Sequence, residues 1–159
     1  MIELKEKAKM VLLAAGLLLW HAVEAESTFG KVVLNSNSHK STAMYELGDR
    51  GPLGGKVYYV DDSGEHGLEA KVADEINSLN WSDAVTAASA LGSGWHLPTK
   101  TELKVLYEQR NVVGGFAKDD YWSATELDNN SAWIQGFGNG DQDRYNKYSK
   151  LSVRSVRAF

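Results

Sequence analysis

The sequence has 159 residues, 43% of them hydrophobic and 24% charged, with a formal net charge of −4. That is enough apolar material for one domain with a core of its own, and the acidic balance excludes a general nucleic-acid binder. There is no cysteine, which removes disulfides, thiolate metal sites and a cysteine nucleophile together.

Lys5, Lys7 and Lys9 precede an unbroken apolar run from Met10 to Trp20, and Val23-Glu24-Ala25 then puts small residues at the positions a signal peptidase reads. The run is continuous rather than one-faced, unlike an amphipathic helix, and falls short of the ~20 residues that cross a bilayer. Residues 1–25 are therefore expected to be a secretory signal cleaved near Ala25, sending the protein to the periplasm or outside the cell. The only membrane attachment this predicts is through an uncleaved signal. Residues 26–44 are rich in Ser, Asn, Thr and Lys, with only Phe29 and Val32-Val33-Leu34 able to bury surface. They read as a linker with at most one short edge strand, and the folded domain is expected over 45–159.

Gly51-Pro52-Leu53-Gly54-Gly55 leads into Lys56-Val57-Tyr58-Tyr59-Val60, a β-branched and aromatic strand. These glycines make a poor phosphate loop, because no Gly-Lys-Ser/Thr follows and the next element is a strand. Asp61-Asp62-Ser63-Gly64 reads as a solvated turn, and a return strand begins near His66. Asn80 caps a first helix whose apolar stripe is Trp81, Ala84, Val85, Ala88 and Leu91, with Gly92 as its stop. In Gly94-Trp95-His96-Leu97-Pro98-Thr99, Pro98 forces Leu97 into extended backbone. Thr99 and Glu102 then form a capping box for a second helix over 100–109. Trp95 is expected to anchor against an aromatic strand at Tyr121-Trp122. Further strands are predicted at 132–137, 144–148 and 153–159, separated by Asn/Asp/Gly-rich turns. The order predicts an α+β domain with two helices packed on a twisted antiparallel sheet, both on one side.

Gly51 to Tyr59, Gly94 to Leu103, Tyr121 to Glu126, Ala132-Trp133 and Val153 to Phe159, occurring in that order, resemble the C-terminal domain of the Legionella collagen-like adhesin. This is a bacterial domain family otherwise of unknown function, and the resemblance runs from Tyr45 to the end. It implies a C-type-lectin-like fold, related more distantly to formylglycine-generating enzymes and to the receptor-binding domains of diversity-generating systems. It also implies adhesin-like binding of sulfated glycosaminoglycans and trimer formation. The sequence departs from these relatives in lacking a Gly-X-Y repeat, the calcium-lectin motifs Glu-Pro-Asn and Trp-Asn-Asp, and the cysteines of the enzymes.

Within that frame Trp95, Trp122 and Trp133 read as core residues, His96 as a hydrogen-bonded structural histidine, and Glu102 as a cap. Of Arg154 and Arg157, one is expected to pair with Glu126 and the other to face solvent. His39, His66 and His96 have no metal-ligand spacing, so no metal, cofactor or catalytic residue is expected. A binding surface belongs on the late loops, which vary without disturbing the core. The candidate ligand-binding residues are Asn129, Asn130, Asn139, Asp141, Gln142, Asp143, Arg144, Tyr145, Lys147 and Tyr148. From Asp141 to Phe159, five cations (Arg144, Lys147, Lys150, Arg154, Arg157) oppose two anions (Asp141, Asp143), a local excess of +3 that favours polyanion contact. The sequence thus points to an exported, non-enzymatic module for a glycan, sulfated or not, or for a protein ligand at the cell surface. The alternatives are an envelope assembly protein, with homo-oligomer formation left open, and an enzyme on the formylglycine-generating scaffold.

Overall fold

The computed structural model of the protein describes residues 44–159. The expected signal and nearly all of the expected linker lie outside the described residues. Six strands and three helices follow in the order β1 (Lys56–Val60), β2 (Gly67–Ala70), α1 (Trp81–Ala90), α2 (Lys100–Glu108), α3 (Arg110–Val113), β3 (Asp120–Glu126), β4 (Ser131–Gly136), β5 (Gln142–Asn146) and β6 (Val156–Ala158).

The α+β class is as expected, but the strands divide into two antiparallel three-stranded sheets, β1-β2-β6 and β3-β4-β5. The division falls within the last predicted strand, of which only Val156–Ala158 joins a ladder. Residues 151–155 instead bond to separate partners: Leu79 and Leu151 exchange both backbone bonds, Ser152 accepts from Trp122 N and donates to Asp120 O, Val153 O accepts from Glu75 N, and Ser155 O from Lys71 N. This segment joins the two sheets by way of the loop after β2 and the start of β3.

Both helix starts follow from local chemistry. Asn80 accepts from Asp83 N at 3.0 Å, and the Thr99 capping box is complete, with Glu102 N to Thr99 Oγ1 at 3.2 Å and Thr99 N to Glu102 Oε2 at 2.7 Å. Successive strand residues point to opposite faces, and β3 uses this to feed two cores. Tyr121 packs with Leu103 and Leu106 of α2, whereas Trp122 packs with Ala84 and Ala88 of α1. The helices therefore lie on opposite faces of the β3-β4-β5 sheet, not together on one side. Leu97, not Trp95, joins the Trp122 core. The far edge of the Trp95 indole approaches Gly55 so closely that a Cβ there would stand 3.0 Å from it. Trp122 is fully buried, while Trp95 and Trp133 are half-buried.

Two buried ions hold the loops. Glu69 has no exposure and accepts from Gly55 N at 2.8 Å and Leu53 N at 3.2 Å, with Arg157 Nε at 3.4 Å. A Cβ at Gly51 would stand 2.3 Å from its Oε2. The Gly-rich run is thus wrapped around an internal carboxylate, which is why it needs residues without side chains. Arg154 is 1% exposed and donates to Asp74 Oδ1 (2.6 Å), Lys71 O (2.9 Å), Gly114 O (3.3 Å) and Gly115 O (2.7 Å). Its guanidinium also lies over the Phe116 ring at 4.0 Å. Glu126, the partner expected for one of these arginines, is bound to Lys147 instead.

His96 Nε2 lies 3.3 Å from both Glu102 oxygens. The hydrogen bond to Glu102 raises the imidazole above its ordinary pKa against the opposing effect of burial. Burial alone would raise the Glu102 carboxyl, but the bonds from His96 and Thr99 outweigh it and bring it to about 2.

Asp74→Ala leaves the Arg154 charge buried without its counter-ion and is expected to cost about 3 kcal/mol in urea unfolding; Arg154→Met, which strips Asp74, Lys71 O, Gly114 O and Gly115 O of their donor, is expected to cost at least as much. For His96 the folded-state pKa exceeds the unfolded one, so its contribution is full below the unfolded value and is lost as pH rises through the folded one. The stability difference between the native chain and His96→Gln should therefore shrink with rising pH across that window. A pH-independent difference would contradict the coupling. Glu102, lowered from 4.5 to about 2, should add a separate loss as pH falls between those values.

Candidate ligand-binding face

The ten residues named from sequence lie along the β4–β5 hairpin, and the register shows how they are divided. Ser131 pairs with Asn146 at one end and Gln135 with Gln142 at the other. At about 3.4 Å per residue the two ends of β5 stand roughly 14 Å apart. Asn129, Asn130, Lys147 and Tyr148 belong to the first end, and Asn139, Asp141 and Gln142 to the second. They do not converge on one pocket.

At the first end Asn129, Lys147 and Tyr148 line a cleft of about 390 Å³ with Asn80, Trp81 and Asp83. Lys147 is committed within it. Its ammonium bonds Glu126, donates to Asp128 O at 2.9 Å and Asn129 O at 3.3 Å, and lies 4.5 Å from the Trp81 ring centre. Asn130 O accepts from Lys147 N at 2.9 Å. Tyr148 is 84% exposed.

At the second end Asn139 and Asp141 bond each other, Nδ2 to Oδ2 at 2.9 Å and Asp141 N to Asn139 Oδ1 at 3.2 Å. Gln142 donates to Lys100 O at 2.9 Å, which ties β5 to the first turn of α2.

Between the ends, side chains alternate. Asp143 and Tyr145 lie opposite Ile134 and Ala132 on the α1 side, where Tyr145 meets Trp122 edge-on at 6.4 Å. Arg144 lies opposite Trp133 on the α2 side. Lys100 Nζ stands over the Trp133 ring at 2.9 Å from its centre. Lys104, one helical turn on, is exposed. Sequence reasoning missed Lys100, Lys104 and the half-buried Trp133 as parts of this face. Lys100 and Lys104 have helical spacing, but only the β4–β5 register and the seating of α2 bring Lys100 over the ring that lies opposite Arg144.

The local positive excess does not survive folding. Lys147, Arg154 and Arg157 are ion-paired with Glu126, Asp74 and Glu69. Of the five cations counted from Asp141 onward, that leaves Arg144 and Lys150 against Asp141 and Asp143, a balance of zero. Three cations outside the described ion pairs lie on the α2 side: Lys100 over Trp133, Arg144 across from it, and Lys104 one helical turn beyond Lys100.

No curated protein shows significant similarity to the chain. Among solved structures, botrocetin aligns at 12% identity over 57% of this chain and 88% of its own, with a TM-score of 0.40. The snake venom toxin convulxin aligns at 12% identity over 65% of this chain and 93% of its own, with a TM-score of 0.42. The decisive similarity is to a family: residues 56–157, which include every strand but the final residue of β6 and all three helices, match the Lcl C-terminal domain. The chain belongs to the Lcl C-terminal domain family, that of the Legionella collagen-like adhesin, and its strands and helices make up the α+β class the sequence motifs implied.

Proposed function

We propose that the protein is an exported, non-enzymatic binding module that recognises a glycan or protein surface at the cell surface, using the β5 side of the β3-β4-β5 sheet. In this reading residues 1–25 direct export and are removed near Ala25. The observation that carries it is β5 itself. Four of its five residues, Asp143 to Asn146, are exposed, so this strand spends its side chains on solvent and adds little to either core. A charged and aromatic strand held on a rigid sheet suits recognition better than stability. Family membership supports a binding role in general.

The sulfated-polyanion form of this reading moves from the C-terminal arginines to Lys100, Lys104 and Arg144. A second reading, assembly within the cell envelope, is favoured by the outer edge of β5, which has no strand partner among the described residues and presents free backbone groups.

Retention on heparin at low salt, with elution shifted to lower salt by Lys100→Ala combined with Arg144→Ala, is the expected result. Arg50→Ala, in the loop before β1, should leave elution unchanged. A chain that passes through unretained, or whose elution ignores both α2-side changes, has no polyanion site there. Absence of binding to a glycan array and to cell-surface protein together would refute the module as a whole. Mass increasing with concentration in analytical ultracentrifugation, abolished by Tyr145→Pro within β5, would favour assembly.

A further inference from the structure

Residues 44–47, the β1 strand, the turn after it and Val105 of α2 enclose a cleft of about 470 Å³. None of its walls comes from β5. Of the eleven large apolar side chains that the described residues leave exposed, three line this cleft: Met44 (75% exposed), Leu47 (49%) and Tyr59 (46%). The cleft beside Lys147 has one, Tyr148, so exposed apolar surface is concentrated beside β1. Half-buried Val60 and Val105 continue it inward.

The walls are tied to one another. Tyr45 N donates to Gly64 O at 2.8 Å and Gly48 N to Val57 O at 2.8 Å, which fixes the entering segment to the β1–β2 turn and to β1. The Tyr45 ring meets Phe159 edge-on at 4.8 Å. Gly64 has φ +74°, and a Cβ on it would stand 3.3 Å from Met44 Cε, so the methionine lies over the turn. A cleft held in this way needs little ordering when a ligand arrives.

The charge of the cleft is one-sided. Glu46, Asp61 and Asp62 line it, and no lysine or arginine does. None of the three carboxylates takes part in an ion pair among the described residues. Asp61 turns one oxygen to Ser63 N and Oγ, and the bond to the Ser63 hydroxyl holds its carboxyl below the ordinary value. The basic groups nearby are Lys56, which donates to Gly48 O at 2.8 Å, and His66, which follows the turn; counting both as charged still leaves carboxylates in excess. Anions are therefore repelled. A sugar would set its hydroxyls against Met44 and Leu47, which cannot bond them. Three carboxylates from two stretches of chain call for more than one positive charge, which a small amine does not carry. We infer that this cleft docks a basic, apolar segment of a partner protein, its aliphatic side chains against Met44, Leu47 and Tyr59 and its lysines or arginines at Glu46, Asp61 and Asp62. Apolar contact supplies the affinity, and the carboxylates select and orient. This goes beyond the β5 reading and does not rest on it, because the two surfaces share no residue and favour opposite charges.

The test is fluorescence anisotropy of a fluorescein-labelled peptide of alternating leucine and lysine, titrated with the full chain. Saturable binding is expected, weakened about tenfold by Glu46→Lys combined with Asp62→Lys and several-fold by Tyr59→Ser. Glu108→Lys combined with Asp119→Lys makes the same change of charge on exposed residues outside the cleft and should leave binding unchanged. A peptide of alternating serine and lysine should bind several-fold more weakly. Failure of the leucine–lysine peptide to saturate overturns the inference, as does equal binding of the serine–lysine peptide or an equal response to the two charge reversals. Self-association of the chain in analytical ultracentrifugation, abolished by Glu46→Lys with Asp62→Lys, would give the cleft to a second copy and overturn it too. Heparin elution is a separate readout, so the β5 reading stands or falls independently of these outcomes.

Discussion

The structure depends on one buried guanidinium. Arg154 sits in the segment between the two sheets, and its bonds reach Lys71 and Asp74 on one side and Gly114 and Gly115 on the other. Three stretches that form no ladder with one another, the loop after β2, the loop after α3 and the approach to β6, are joined at that point. A buried charge is tolerated only when counter-ion and hydrogen bonds replace water, and Arg154 has both. Asp74 answers in turn by accepting from the Tyr121 hydroxyl at 2.6 Å. Burial and this bond push the Tyr121 phenol well above its usual range. The ion is thereby continuous with the core beneath α2.

The same requirement shapes the surface. Glu69 draws in Arg157 and the glycine loop, and Lys147 is held by Glu126 and the β3–β4 turn. Each pair removes from solvent a charge that a count along the chain would credit to a ligand. What remains for recognition is set by these internal commitments. It is a sheet face where Lys100 covers Trp133 and Arg144 lies across from it, with a cleft at the Lys147 end of β5.

Much of the scaffold was legible because its signals are local. The Asn80 and Thr99 caps act within a single helical turn, and they placed both helix starts at the right residue. The strand from Lys56 to Val60 follows from its β-branched and aromatic content, with the turn residues around it. The β5 strand was expected two residues too late. Its true start at Gln142 is fixed by pairing with Gln135 and by the bond to Lys100 O, neither of which Gln142's own neighbours in the chain disclose. Of the predicted strand at 153–159 only Val156–Ala158 joins a ladder, and Arg154 reaches Asp74 instead.

The amino-acid sequence by itself determined the family, the α+β class and the helix caps. Those properties arise from contacts between residues a few positions apart or from motifs read in order. Tertiary structure alone decided which cations are spent internally, which faces of the sheet the two helices cover, and which side chains share a surface. Arg154 finds Asp74 80 positions away, and Gln142 finds Lys100 42 positions away. At such separations the partner is chosen by strand register and by the cost of burying an unpaired charge, and both exist only once the chain has closed on itself.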